Sequence, residues 1–189
     1  MFVLIVENNP LYPPFLRGNG EWVKMKILKY ILVMLPLMFI SISPLYAKAR
    51  ATVTGTWNLI ITEQDLQNGA GSDLKNTYES PSDQVIVDVD MQGVGSDSWI
   101  IYTRKSPPDA NWPSRFRLFI RRSGNGQGPP PGSISGGTTY QELTENDVFF
   151  YEGVKQRKNI PHQFKLTGVS ALVPAGTYIT TVYYTIVSD

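Results

Sequence analysis

Cysteine is absent from the 189 residues. No disulfide framework can form, and no thiolate is at hand for nucleophilic or metal chemistry. An exported domain of this composition relies on its core alone. Histidine occurs once, at His162. A lone His has no His or Cys companion for zinc, and no Ser and Asp stand near it in a nucleophile motif. The expectation for His162 is a plain surface or strand-start position behind Pro161. Charge is also scarce, at 17% of residues with a formal net of +1. The part after Ala49 carries twelve Lys and Arg against fourteen Asp and Glu, a small acidic excess. No basic field exists to hold nucleic acid. Helical periodicity is nearly missing after Ala49. What is present is apolar and strand-prone: aromatics are 12%. That composition excludes disorder of the whole chain, and the length suits one domain.

The stretch "MKILKYILVMLPLMFISISPLYAKA" begins at Met25. Lys26 and Lys29 make a positive start, Ile31 to Ile40 an apolar core broken by Pro36, and "SPLYAKA" a small-residue end. This is the order of a secretory signal, residues 25–49, processed after Ala49 or alternatively after Ala47. Its apolar run is shorter than the ~20 residues of a membrane span. A signal stands at the N-terminus of its chain, so translation is expected to start at Met25, with residues 1–24 outside the protein. The processed chain is expected to be exported, first to the periplasm, with no membrane segment left.

Seven strand-like runs follow, separated by turn-rich stretches. They are "ATVTGTWNLIIT", "QVIVDVDM", "SWIIYTRK", "RFRLFIRR", "DVFFYEGVK", "HQFKLTGVSAL" and "GTYITTVYYTIV". Such spacing predicts an all-β, immunoglobulin-like β-sandwich. "QNGAGSD" and "QGVGSDS" supply turn residues, and "KSPPDANWPS" a proline-rich crossing. "SGNGQGPPPGSISGGTT" reads as one long surface loop. A phosphate cradle would need a Lys-Ser/Thr close and a following helix, which it lacks. "TEQDLQNG" can hold one helical turn. "LTENDVFF", with Thr144 as a cap, reads as a turn feeding a strand.

Asp88 and Asp90 lie two apart on one strand face, with Ile86. Paired carboxylates can do acid–base work or hold calcium; a solvated face is the simpler reading. Arg115, Arg117, Arg121 and Arg122 read as the wet side of a strand whose Phe116, Leu118 and Ile120 face inward. No catalytic constellation, metal site or cofactor motif emerges, and no enzyme is expected.

Two segments go further. In "VTGTWNLIIT", Val53, Gly55, Trp57, Leu59 and Ile61 alternate with mostly polar positions. This is an amphipathic strand at the start of the processed chain, residues 50–62. Gly55 weakens such a strand unless something approaches closely there. At the other end, Gly176, Tyr178, Thr180, Val182, Tyr184 and Ile186 share one side, while Ile179, Thr181, Tyr183, Thr185 and Val187 share the other. Both sides can be buried.

Together these segments resemble those of chaperone–usher pilus subunits. The closing "LTGVSALVPAGTYITTVYYTIV" is also similar to spore-coat-like exported β-sandwich proteins. The family has a glycine near the fourteenth place from the end, and Gly176 is the fourteenth here. Two features depart from the pattern: Ser188 stands where many members carry an aromatic, and the paired cysteines of many members are missing. The resemblance implies a domain of residues 63–189 lacking one strand. It also implies a donor strand (Val53, Gly55, Trp57, Leu59, Ile61) and an acceptor strand (Gly176, Tyr178, Val182, Tyr184, Ile186). The implied partners are a periplasmic chaperone and neighbouring subunits, joined by strand addition into a surface fibre. The alternative is a self-contained exported sandwich that binds a carbohydrate or other surface ligand through Trp99, Tyr102 and Trp112.

Overall fold

The computed structural model describes residues 2–8, 49–92, 98–107 and 112–188, the first segment as backbone. Apart from Ala49, the predicted signal lies outside the described residues, as do residues 9–24 and part of the proline-rich crossing. The architecture is all-β, with two sheets and, among the described residues, one 3-10 turn. It is consistent with a β-sandwich.

One sheet contains β1 (Phe2–Asn8), β3 (Trp57–Leu59), β6 (Ser98–Lys105), β8 (Ser133–Gly136), β10 (Val148–Val154) and β12 (Tyr178–Ser188), in the order β3-β1-β12-β6-β10-β8. The other contains β2 (Ala49–Thr54), β5 (Val85–Met91), β7 (Arg117–Arg122), β9 (Gln141–Glu142) and β11 (Arg157–Thr167), in the order β2-β5-β11-β7-β9. A short β4 (Thr77–Glu79) also pairs with β11. The ladders are antiparallel, except that β1 runs parallel to β12.

The period of two decides which side chains fill the core. Val85, Val87 and Val89 of β5 point inward, as do Leu118 and Ile120 of β7. Ile160, Phe164 and Leu166 of β11 join them, with Trp99 and Ile101 of β6 and Val182 and Tyr184 of β12. Burying each large apolar side chain contributes about 1.5–3 kcal/mol.

Several expectations are corrected. "VTGTWNLIIT" is not one strand: β2 pairs with β5 and β3 with β1, so the chain changes sheet at Gly55 and Thr56. Gly55 has φ of +120°, and a Cβ there would collide with the Gln84 carbonyl oxygen. The close approach that its position called for is that backbone. The long loop contains a strand, since Ser133–Gly136 pair with β10. Strand β11 begins before Pro161 and runs through it. A bulge between Arg157 and Ile160, with Asn159 at φ 55°, sets the strand on its course, and the Pro161 carbonyl accepts from the Ser123 N–H.

His162 is not a surface residue. It shares the parity of Ile160 and Phe164 and is fully buried. Arg122 is not on the wet side either; it follows Leu118 and Ile120 inward and is 3% exposed. Its guanidinium is satisfied by carbonyls. Nε and Nη2 donate to Gly136 at 3.0 and 2.8 Å, and Nη1 donates to Gly124 at 2.9 Å and to Asn125 Oδ1. That pairing is what lets a cation sit inside. Strand β12 buries one side more than the other: on the second side Ile179 and Val187 are 38% and 42% exposed, while Thr185 is buried. The helical turn in "TEQDLQNG" is the 3-10 turn Glu63–Asp65, closed by a Thr62 capping box.

Candidate functional site

The last strand, β12, bonds β6 along one edge from Val182 to Ser188. Its other edge, Tyr178 to Tyr184, is bonded by β1 in parallel register, Phe2 with Tyr178 through Asn8 with Tyr184. Strand β1 is bonded in turn by β3, with Phe2 opposite Leu59, Val3 opposite Asn58 and Leu4 opposite Trp57. Strands β3 and β12 do not bond each other, so β1 fills a slot between them. The slot's chemistry is that of backbone N–H and C=O groups, which must be paired when water is excluded.

At the Phe2 end the slot meets an apolar cleft of about 360 Å³. Leu59 and Tyr178, the two register partners of Phe2, both line it, with Ile61, Leu74, Phe116 and Val173 around them. The Tyr178 ring meets Phe116 edge-on at 5.4 Å, and its hydroxyl donates to the Pro174 carbonyl. Asp73 anchors the far wall. Its carboxylate accepts from the Ala171 N–H at 2.6 Å, the Ser170 hydroxyl at 3.1 Å and the Leu74 N–H at 2.9 Å. These donors, the Ala171 N–H first, hold its carboxyl below the ordinary aspartate value.

Of the expected acceptor residues, Tyr178, Val182, Tyr184 and Ile186 stand on β12, and Gly176 lies just before it beside the cleft. The expected donor residues belong to their own domain. Val53 is on β2, Gly55 at the sheet change, Trp57 and Leu59 on β3, and Ile61 in the cleft wall. Trp57 is 4% exposed and stacks on Phe164 at 6.4 Å.

The three aromatics of the alternative reading are not brought together. Trp99 is core, its indole N–H donating to the Lys155 carbonyl at 2.7 Å. Tyr102 lies on the opposite side of β6 against Phe149, and Trp112 packs on Phe116. Asp88 and Asp90 are engaged rather than open. Lys158 Nζ stands 2.6 Å from Asp90 and 3.6 Å from Asp88, whose other oxygen accepts from the Asn159 N–H. Among the described residues no group of three or more His, Asp and Glu could hold a metal ion.

A buried polar group lies between the sheets. His162 Nδ1 is 3.1 Å from the Tyr184 hydroxyl, and the two rings are stacked at 5.4 Å. Tyr151 is edge-on to His162 at the same distance. Burial, then the nearby Arg122 charge, pushes the His162 pKa down to about 3. Burial likewise raises Tyr184 and Tyr151 above the usual phenol range. A neutral imidazole so enclosed is a structural element, with no access for a substrate.

What the residue pattern did not single out is Phe2–Asn8. Its apolar run "FVLIVEN" carries the signal, set aside because it precedes a signal-like stretch. No protein-family model, curated protein or solved structure matches the chain.

Proposed function

We propose that the chain is a structural subunit of a surface fibre, exported and assembled by β-strand donation. In this reading the processed domain is an immunoglobulin-like sandwich short of one strand, and a strand from a periplasmic chaperone or a neighbouring subunit completes it. One observation carries the reading. Strands β3 and β12 both lie after the predicted processing site, they do not bond each other, and the strand that joins them comes from ahead of it. An open edge of seven strand residues is an aggregation hazard that must be covered. Strand addition covers it with main-chain hydrogen bonds.

The incoming strand belongs to another molecule. A second copy would have to release β2 from β5 and lift Trp57 off Phe164. That gives up a large buried side chain, a cost of about 3–5 kcal/mol, which the new joint must exceed.

The experiment is to express the full reading frame in a bacterium that processes secretory leaders and has a chaperone–usher system. The N-terminus and native mass of the exported product are then measured. The reading expects a start at Arg50 or Lys48 and a mass above one chain, as a chaperone complex or a ladder of subunits. A processed monomer that melts alone in one transition overturns it.

A further inference from the structure

We propose that the chain is an end piece of its fibre: it takes in a strand from a different polypeptide and lends none of its own. The proposal rests on the strand-donation reading and adds the chain's place in the fibre and the kind of partner it takes.

A fibre grows by strand donation only while each unit offers both halves of the joint, an open slot and a free strand. A unit with one half stops growth. The slot half is the Tyr178–Tyr184 edge of β12, whose partner strand comes from ahead of the predicted processing site. The strand half would be residues 50–62, at the start of the processed chain. These residues are already in use. Strand β2 forms six register pairs with β5, from Ala49 with Met91 to Thr54 with Ile86. Ala51 and Trp57 are buried, and Val53, Leu59 and Ile61 pack against the same core. The alternating row that a neighbour's slot would receive therefore faces its own domain.

The segment is also tied on both sides. Ahead of the Gly55 corner it is held by β5, and at the corner Gln84 Nε2 donates to the Thr56 carbonyl. Behind it the Thr62 N–H donates to the Asp65 carboxylate at 3.0 Å. The Gln67 N–H then donates to the Asp73 carbonyl at 2.9 Å, and the Lys75 N–H to the Asp65 carbonyl at 3.0 Å. Export without β1 removes the ladder of β3 but none of these contacts. Lying as a strand along the seven-residue β12 edge of a neighbour requires β2 to leave β5 and the corner to straighten. Among the described residues after the processing site, no strand-forming segment stands clear of the domain. The donor is therefore a second kind of exported chain, one that carries a free strand of alternating apolar residues.

The test uses the processed product of the full reading frame, exported beside a chaperone–usher system and followed by native mass and amide hydrogen exchange. Each particle is expected to hold one copy of the chain with one strand-lending protein, at every protein concentration. The β2 amides that ladder to β5 are expected to exchange about a hundredfold or more slowly than in the unfolded chain. A lender-bound single copy whose β2 amides exchange as fast as in the unfolded chain holds a free strand in waiting. That result overturns the end-piece role and leaves strand donation intact, as does a ladder of masses at multiples of this chain. A processed monomer that melts alone in one transition overturns both.

Discussion

His162 is an imidazole that folding keeps neutral. It sits between the Tyr184, Tyr151 and Phe150 rings, and the nearest charge is the Arg122 cation, so burial and repulsion both oppose a proton. The unfolded chain has no such opposition and takes a proton below about 6.5. Stability from this residue is thus complete above pH 6.5 and is lost as pH falls toward about 3. Each unit within that window costs at most about 1.4 kcal/mol. Thermal melts from pH 7.5 to 4.5 should show the midpoint level down to about pH 6.5 and falling below it. His162→Phe should flatten the slope while losing the Tyr184 hydrogen bond; an equal slope in both proteins would reject the assignment. Asp73 adds a loss of the same sign only below the carboxylate range, so the two are separable. His162 and Arg122 were legible by parity alone. Positions 160, 162, 164 and 166 alternate with the core, as do 118, 120 and 122. Charge type argued outward and alternation argued inward, and alternation won because carbonyl oxygens surround the guanidinium.

At the level of elements, the strand pattern read from residues located most of the sheets but not their corners. The alternation of Val53, Gly55, Trp57 and Leu59 passes through a change of sheet without a break. Two residues, Gly55 and Thr56, make the turn, and a two-residue turn preserves parity. Pattern alone cannot see such a corner; the glycine was its one trace. Strand β8 was hidden because three of its four residues are Ser or Gly, with Ile134 alone packed against the core. The corner carries its own prediction. Gly55→Ala places a Cβ against the Gln84 carbonyl and holds a positive φ that alanine resists. Unfolding in urea should show a loss of about 1–3 kcal/mol. Exchange should quicken first in β2 and β3; an unchanged midpoint would mean that the corner relaxes freely.

For the molecule as a whole, the two sheets are unequally closed, and this unevenness connects the fold to the proposed assembly. Strand β11 is laddered on both sides, by β5 and β4 on one edge and β7 on the other, and its Ile160, Phe164 and Leu166 are fully buried. The other sheet ends at β3, three residues long, which reaches the rest of its sheet only through β1. The slot was therefore readable as two ends of one sequence, but not as a place. The residue pattern marked β12 and residues 50–62 as special, while their separation by a third strand exists only in the folded chain. Local opening should follow the same order. Native-state hydrogen exchange on the whole chain should place the amides of β5, β7 and β11 in the slowest class, exchanging only through global unfolding. The amides of β3 and β9 should open at lower free energy, since each lies at a sheet edge on a short ladder. Amides of residues 178–184 should fall between, and should join the fast class once β1 is displaced. If β3 instead exchanges with the slowest class, then the edge is held by more than β1, and the sandwich is complete without a lent strand.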